Sequence, residues 1–233
     1  MSRICSVCAR GGSKGVRNKN TRELAGRPLI AHTLEQARST GLFKLIAVSS
    51  DSAEILDLAR THGADLAVER PLELASDTAA KIPAIRHCVA AAEKAANERF
   101  DVVVDLDVTS PLRVPDDIRN AVELLESQQV SNVITAAPAR RSPYFNLVEL
   151  AEDGVVRLSK ALGKPIVRRQ DSPPCFDMNA SIYVWRREAL FNHDTVFLPD
   201  TRLFVMPEER SVDIDSELDF EVVELLMRKR GGR

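Results

Sequence analysis

The stretch Ile4-Cys5-Ser6-Val7-Cys8-Ala9-Arg10-Gly11-Gly12-Ser13-Lys14-Gly15-Val16-Arg17-Asn18-Lys19-Asn20 decides how the 233-residue chain reads. Its first six residues form a short apolar run ahead of a glycine pair, the pattern of a buried strand. The loop that follows has five basic residues from Arg10 to Arg22 (Arg10, Lys14, Arg17, Lys19, Arg22) and no acidic one. Pro28 then sits where a first-turn proline belongs, and Leu29 to Ser39 repeats apolar residues at helical spacing. In doubly wound α/β sheets, ligands bind beyond the carboxyl ends of the strands, which is where such a loop falls. Its glycines let the backbone approach a ligand and present N–H groups. Arg10, Lys14 and Lys19 add charges that suit a polyphosphate. The loop is not G-x-x-x-x-G-K-[ST], which argues against a P-loop, and it lacks the G-x-G-x-x-G spacing of dinucleotide binding. A solvated basic connection is the plain alternative; placement between strand and helix favours the ligand.

Outward from this stretch the alternation continues. Leu45 to Val48 predicts a strand, and Asp51 with Glu54 a capping box that opens a helix through Thr61, stopped by Gly63. Leu66 to Val68 predicts a weak strand. Thr78 to Asn97 predicts a helix with Pro83 in its first turns, where Asp77 or Thr78 serves as a plain cap. Val102 to Leu106 is the clearest strand, and a helix follows from Pro115 to Ser127, led by Asp116 and Asp117. Val133 to Thr135, Ile182 to Trp185 and Leu203 to Met206 read as strands, and Ser216 to Arg228 as a closing helix. The expected fold is α/β: a twisted, largely parallel sheet with helices on both faces, in one domain over residues 1–233. From about Pro138 to Pro174 the pattern breaks. Phe145 to Leu150 and Val155 to Leu158 flank the hairpin signal Asp153-Gly154, so this segment reads as an insertion leaving the sheet.

Composition narrows the function. The residues are 44% hydrophobic, 28% charged and 5% aromatic, with a net charge of -2. A chain of this length buries roughly 70% of its unfolded surface and needs no staple, and its high apolar content and low net charge exclude general disorder. The longest apolar runs fall far short of the ~20 residues of a membrane span. Without a signal-like apolar stretch a cytoplasmic location is expected, and the four cysteines are expected as thiols. A pI near 6.1 and few aromatic residues argue against nucleic acid. One dense basic segment in a near-neutral chain points to a small anionic ligand instead.

Two further clusters carry chemistry. In Ser211-Val212-Asp213-Ile214-Asp215-Ser216, an extended backbone puts Asp213 and Asp215 on one side and Ile214 on the other. Two carboxylates on one face suit Mg²⁺, whose remaining ligands are water and phosphate oxygens. Capping of the last helix by Asp215 or Ser216, with Asp219, is the alternative, and it leaves Asp213 unexplained. In Asp105-Leu106-Asp107-Val108-Thr109-Ser110-Pro111-Leu112-Arg113, Asp107 follows the clearest strand and is placed to bond ligand hydroxyls, or else to form a turn. Cys5 and Cys8 fall on opposite strand faces and read as buried small residues.

In order, the chain carries Ala9 to Gly15 with Asn18-Lys19-Asn20, then Arg70 to Ala79, Thr109-Ser110-Pro111-Leu112-Arg113, Asp177-Met178-Asn179-Ala180-Ser181-Ile182-Tyr183, and Asp213 to Asp219. These five motifs resemble the acylneuraminate cytidylyltransferases over nearly the whole chain. Cys8 to Val16, Asp105-Leu106-Asp107, Pro138 to Leu147 and Cys175 to Ala180 look like the branch acting on legionaminic acid. The resemblance implies a doubly wound, Rossmann-like, nucleotide-diphosphosugar-transferase-like α/β/α fold. It implies transfer of CMP from CTP to the anomeric hydroxyl of a nonulosonic acid, foremost N,N'-diacetyllegionaminic acid, with release of pyrophosphate. Neuraminic and pseudaminic acids are the alternatives.

By the same resemblance Arg10 and Lys14 bind the triphosphate and Lys19 the departing pyrophosphate. Ala9, Gly11, Gly12, Ser13, Asn20, Arg70, Ala79 and Lys81 surround the nucleotide, and Asp213 and Asp215 hold Mg²⁺. Asp107, Arg169 and Asn179 match sugar-side positions, with Arg169 suited to a carboxylate. Sialic-acid enzymes usually carry glutamine at the place of Asp107 and a small serine at that of Lys81. Aspartate there is an acceptor only, which argues against sialic acid as the substrate. The insertion, residues 138–174, resembles a dimerisation element reaching over the neighbouring site, so a homodimer with Arg141 supplied by the partner is expected. A catalytically silent nucleotide-binding module and an NAD-dependent enzyme are the competing classes.

Overall fold

Short apolar runs alternating with amphipathic segments build a central sheet covered on both faces. A computed structural model describes residues 1–12, 15–76, 78–163 and 166–231. The elements are β1 (Arg3–Cys8), β2 (Glu23–Leu24), β3 (Arg27–Pro28), α1 (Leu29–Thr40), β4 (Leu45–Ser50), α2 (Ala53–Thr61), β5 (Leu66–Glu69), α3 (Lys81–Ala96), β6 (Val102–Leu106), α4 (Pro115–Gln128), β7 (Asn132–Pro138), β8 (Val148–Leu150), β9 (Val156–Leu158), β10 (Phe176–Arg186), α5 (Arg187–Asn192), β11 (Arg202–Val205) and α6 (Glu217–Gly231). Among the described residues, seven strands form one sheet in the order β11-β7-β10-β6-β1-β4-β5. β1 pairs in parallel with β4 and β6, β4 with β5, and β11 with β7. β10 is the exception, antiparallel to both β6 and β7. The doubly wound α/β/α architecture is therefore present, with one reversed strand that the alternation of elements does not reveal.

From β1 the chain builds outward to β4 and β5 on one side, and β6 joins on the other. The order switches at β1, so a crevice opens between the carboxyl ends of β1 and β6. Side chains alternate across β1. Cys5 and Val7 join the core beneath α1, α2, α4 and α6, whereas Ile4 and Cys8 pack with the cluster beneath α3 and α5. The four cysteines are free thiols, and Cys5 and Cys8 do point to opposite faces. Among the described residues, no helix is long and apolar enough to cross a membrane.

Helix boundaries follow local chemistry, with two corrections. Ser52, not Asp51, caps α2: its hydroxyl accepts from the Ile55 N–H at 3.5 Å. Asp51 instead accepts the Gly11 N–H at 2.9 Å, so the loop after β1 has taken the carboxylate expected at the helix. α3 starts at Lys81 instead of Thr78, behind Ala80, which supplies no side-chain cap. Pro83 then falls in the first turn, where a missing N–H costs nothing. Asp77 lies outside the described residues. α4 opens as expected, with Pro115 at its start and the Asp117 carboxylate accepting the Val114 N–H at 2.9 Å. After Pro138 the chain leaves the sheet and rejoins it at Phe176. The hairpin β8–β9 in between is shorter than the sequence suggests and turns at Gly154, at φ +76.

The region beyond β6 is pinned by Arg113, which is 1% exposed. Its Nη1 donates to the carbonyls of Asp107 (2.7 Å), Ser110 (3.0 Å) and Ser181 (3.2 Å), and Nη2 to the Thr33 hydroxyl at 2.8 Å. One guanidinium thus joins the β6 loop, β10 and α1. Burial pulls its pKa down to about 10, against the attraction of nearby Asp107. Truncation would leave several carbonyls unbonded in the interior. Arg113→Met should therefore lower the free energy of unfolding by about 3 kcal/mol, seen as a lower urea midpoint at unchanged m-value.

Candidate active site

The loop after β1 is held at its root by backbone and carboxylate bonds. The Ala9 N–H donates to Ser49 O at 3.0 Å. The Asn20 side-chain amide donates to Arg10 O at 2.9 Å, while the Asn20 backbone carbonyl accepts the Ile30 N–H at the start of α1. The Arg10 guanidinium reaches Ser76 O at 3.5 Å. Gly11 packs close enough that a Cβ would lie 3.1 Å from that of Ser52, whereas Gly12 faces open space. Ser13 and Lys14 lie outside the described residues. Arg70 is buried, and its guanidinium donates to the hydroxyl and carbonyl of Ser49 (3.1 and 2.6 Å), closing the end of β4.

The ledge before α6 meets this loop. Lys19 Nζ donates to Ile214 O at 2.5 Å and lies 3.7 Å from Asp215 Oδ1. A Cβ on Gly15 would lie 2.0 Å from the Asp215 carbonyl oxygen, so only glycine permits this approach. Ile214 is buried between the two aspartates, and its N–H donates to Thr109 O at 2.9 Å. The Ser110 hydroxyl reaches Asp213 Oδ1 at 3.3 Å. Capping of α6 falls to Ser216 and Asp219: the Asp219 carboxylate accepts from the Asp215 and Ser216 N–H groups (3.1 and 2.8 Å), and Ser216 Oγ accepts the Asp219 N–H at 3.3 Å. The carboxylates of Asp213 and Asp215 are thereby left free of that task. Burial pushes the Asp213 carboxyl up, reinforced by Asp107 and Asp215 and opposed by Thr109 and Lys19.

Arg10, Lys19, Asn20, Arg70, Ala79 and Lys81 line one cleft of about 400 Å³, with Asp107 and Asp215 also on its wall. Lys81 Nζ does not project freely into it. The ammonium donates to Asp107 Oδ2 at 2.8 Å and lies 3.1 Å from Asp105 Oδ2. Burial disfavours charge on Asp107, yet Lys81 and the bonds from Thr109 outweigh it and hold the carboxyl at about 2. Burial likewise opposes charge on Lys81, and the two aspartates push its pKa up regardless.

The other sugar-side residues are placed differently. Asn179 is buried in a bulge of β10, where the register shifts and Ala180 takes φ +51. Its Oδ1 accepts from the Thr135 hydroxyl (2.7 Å) and the Ser181 N–H (3.2 Å), and Nδ2 donates to Ser211 Oγ at 3.0 Å and Met206 Sδ at 3.4 Å. The whole amide is engaged inside the fold, where it anchors the approach to the ledge. Arg141 and Arg169 line a second cleft of about 560 Å³, formed by the insertion, and Arg169 donates to Ala139 O. Sequence reasoning assigned no part to Asp105, Ser6 or Arg113. A charged residue inside the clearest strand was the available signal for Asp105.

A switch-point cleft in which cations face a carboxylate ledge, on this sheet, defines a nucleotidyltransferase-type α/β enzyme. The family described as Cytidylyltransferase matches residues 4–210, and the chain belongs to it. It is 46% identical over 227 residues to the post-translational flagellin modification protein B of Campylobacter coli, covering 97% of this chain and 95% of that one. It is 45% identical over 224 residues to a CMP-N,N'-diacetyllegionaminic acid synthase of Campylobacter jejuni, covering 96% and 94%. Among solved structures, a CMP:2-keto-3-deoxy-manno-octonic acid synthetase complexed with CTP has the same fold, with a TM-score of 0.72 at 16% identity over 99% of this chain and 100% of that one.

The contact of Gly15 with the Asp215 carbonyl makes a direct test. Gly15→Ala should force the loop off the ledge, costing about 1–3 kcal/mol by overpacking. Faster amide exchange at Ile214 and at the start of α6 would report it.

Proposed function

We propose that the chain transfers CMP from CTP to the anomeric hydroxyl of a nonulosonic acid, N,N'-diacetyllegionaminic acid in particular. The observation that carries this is the meeting of the loop after β1 with the twin-aspartate ledge in one cleft, 195 residues apart at the Lys19–Ile214 bond. The relatives of 45–46% identity, one named for this sugar, support the choice of acceptor.

In this reading the C2 hydroxyl attacks the α-phosphorus, the C2–O–Pα bond forms as the Pα–O–Pβ bond breaks, and pyrophosphate and the hydroxyl proton are released. The protein contributes position and charge. Arg10 and Lys19, with Lys14, bind the triphosphate and take up charge on the leaving pyrophosphate. Asn20 holds the carbonyl of Arg10 and keeps the loop in shape. Arg70, committed to Ser49, shapes the nucleotide side of the cleft, and Ala79 brings the backbone before α3 to it.

The donor set of the ledge fits Mg²⁺: two hard carboxylates, Asp213 and Asp215, with Asp213 pushed up by burial and by its negative neighbours. Among the described residues, no group of three or more His, Cys, Asp or Glu side chains forms a closed cage, and Mg²⁺ needs none because it retains water and phosphate oxygens. When bound there, Mg²⁺ neutralises charge building on the phosphates.

The same reading makes the chain a homodimer in the cytoplasm. In the β8–β9 ribbon Val148 pairs with Leu158 and Leu150 with Val156, so all four side chains share one face. They are 44–75% exposed. An isolated two-stranded ribbon is marginal in water, and a second copy covering this face would, by the family resemblance, also supply Arg141 to the neighbouring site. A Leu150→Asp/Val156→Asp variant should sediment as a monomer where the parent sediments as a dimer; a monomeric parent removes the idea.

Pyrophosphate release from CTP with legionaminic, pseudaminic and neuraminic acids tests the reaction, and it should be fastest with the first. Asp213→Ala and Lys14→Ala should each lose roughly 10²–10³ in turnover while keeping the parent's melting temperature. Chelation of divalent cations should abolish turnover. Binding of CTP without pyrophosphate release across the panel would mean a silent nucleotide-binding module.

A further inference from the structure

Lys81 opens α3 at the mouth of the cleft, where a cation would be assigned to the nucleotide, but its ammonium is already committed. It donates to Asp107 Oδ2 at 2.8 Å, lies 3.1 Å from Asp105 Oδ2, and sits 4.7 Å from the centre of the Tyr183 ring. One of the ammonium's donors goes to Asp107, while Asp105 Oδ2, which has no hydrogen-bond partner of its own among the described residues, and the Tyr183 ring flank the charge. Asp105 is wholly buried, with its other oxygen accepting the Ser6 hydroxyl at 2.8 Å. A buried carboxylate requires a cation beside it, so Asp105 fixes the ammonium against the cleft wall.

The consequence falls on Asp107. A carboxylate offers about four lone-pair sites. Thr109 takes two on Oδ1, through its N–H at 3.2 Å and its hydroxyl at 2.9 Å, and Lys81 takes one on Oδ2. The remaining site belongs to an oxygen on the cleft wall. Lys81 and, behind the loop, Arg113 balance the two aspartates. The free lone pair of Asp107 still accepts a donor group and repels an acceptor.

We propose that Asp105–Lys81–Asp107 is a specificity device for the acceptor sugar. Lys81 is a positioning residue, anchored by Asp105, that holds Asp107 as a fixed ionised acceptor for one N–H or O–H of the sugar acid. Lys81 makes no contact with the nucleotide. This deepens the cytidylyltransferase reading above and rests on it.

The test uses the full chain with CTP and N,N'-diacetyllegionaminic acid, measuring KM for each substrate by pyrophosphate release. Lys81→Met and Asp107→Asn should each raise the sugar KM by about tenfold or more and leave the CTP KM within about twofold. Combined, they should cost no more than the worse single change, because both break one unit. Asp105→Asn, out of reach of any ligand, should also raise the sugar KM, and Lys81→Arg should recover part of the loss. Where Lys81→Met fails to fold, Lys81→Met with Asp105→Asn removes the stranded buried charge and serves in its place. A rise in the CTP KM instead, or additive effects of Lys81→Met and Asp107→Asn, overturns the proposal. If the parent itself releases no pyrophosphate with any nonulosonic acid, the cytidylyltransferase reading fails, and calorimetric titration with CTP still decides the role of Lys81. Equal CTP affinity in parent and variant supports it, and tenfold weaker affinity overturns it.

Discussion

The site depends on a contact between backbones. The α-carbon of Gly15 lies against the carbonyl of Asp215, with no room for a Cβ, and Lys19 closes the same seam through the carbonyl of Ile214. Side chains can repack around a change, but a backbone pair at this distance allows one arrangement of both segments. The buried Ile214 plugs the seam, and its N–H continues the connection to Thr109 in the loop after β6. Three segments far apart in the chain are thus locked at the one place where the strand order switches. The basic loop and the acidic ledge have to face each other because of it.

Beneath that seam the protein uses buried charge sparingly and for geometry. Arg113 spends its guanidinium on carbonyls and a hydroxyl, without a direct carboxylate partner among the described residues. A cation bonded to carbonyl oxygens defines where the loop after β6, β10 and α1 stand, since each bond has a direction. Asn179 does the same on the other side: its amide fills the gap in the β10 ladder and reaches Ser211 at the foot of the ledge. These residues set the floor on which the exposed groups act.

Much of this was legible in the sequence where the signal is local. The apolar run into a glycine pair gave β1 and its loop, and Asp213-Ile214-Asp215 already shows two carboxylates astride a buried isoleucine. What was not legible depends on pairing across the chain. The direction of β10 follows from its partners β6 and β7, and no residue in Phe176–Arg186 encodes it by itself. Asp51 looked like a cap because it precedes a helix by the right interval; the Gly11 N–H that claims it is 40 residues away. Lys81 and Asp107 are 26 residues apart on different elements, so each looked like an independent ligand contact. Arg141 and Arg169 belong to a separate cleft within one chain, a separation that spacing does not show.

The ledge raises the sharpest physical question of the cleft, since it sets carboxylates where a polyanion is expected. Helix capping does not account for them: α6 is capped by Ser216 and Asp219, and the bond from Lys19 ends on a backbone carbonyl. Lys19 is 3.7 Å from Asp215, too far for a hydrogen bond, and Lys81 is turned to the opposite pair of aspartates. Burial, with Asp107 and Asp215 nearby, pushes the Asp213 carboxyl up. A triphosphate brought to this wall alone would be repelled. Under the proposed function, Asp213 and Asp215 would hold a hard divalent ion, which would convert that repulsion into attraction. In the proposed reading the two acids would bind nucleotide and metal together, so that charge neutralisation would arrive only with the substrate that needs it.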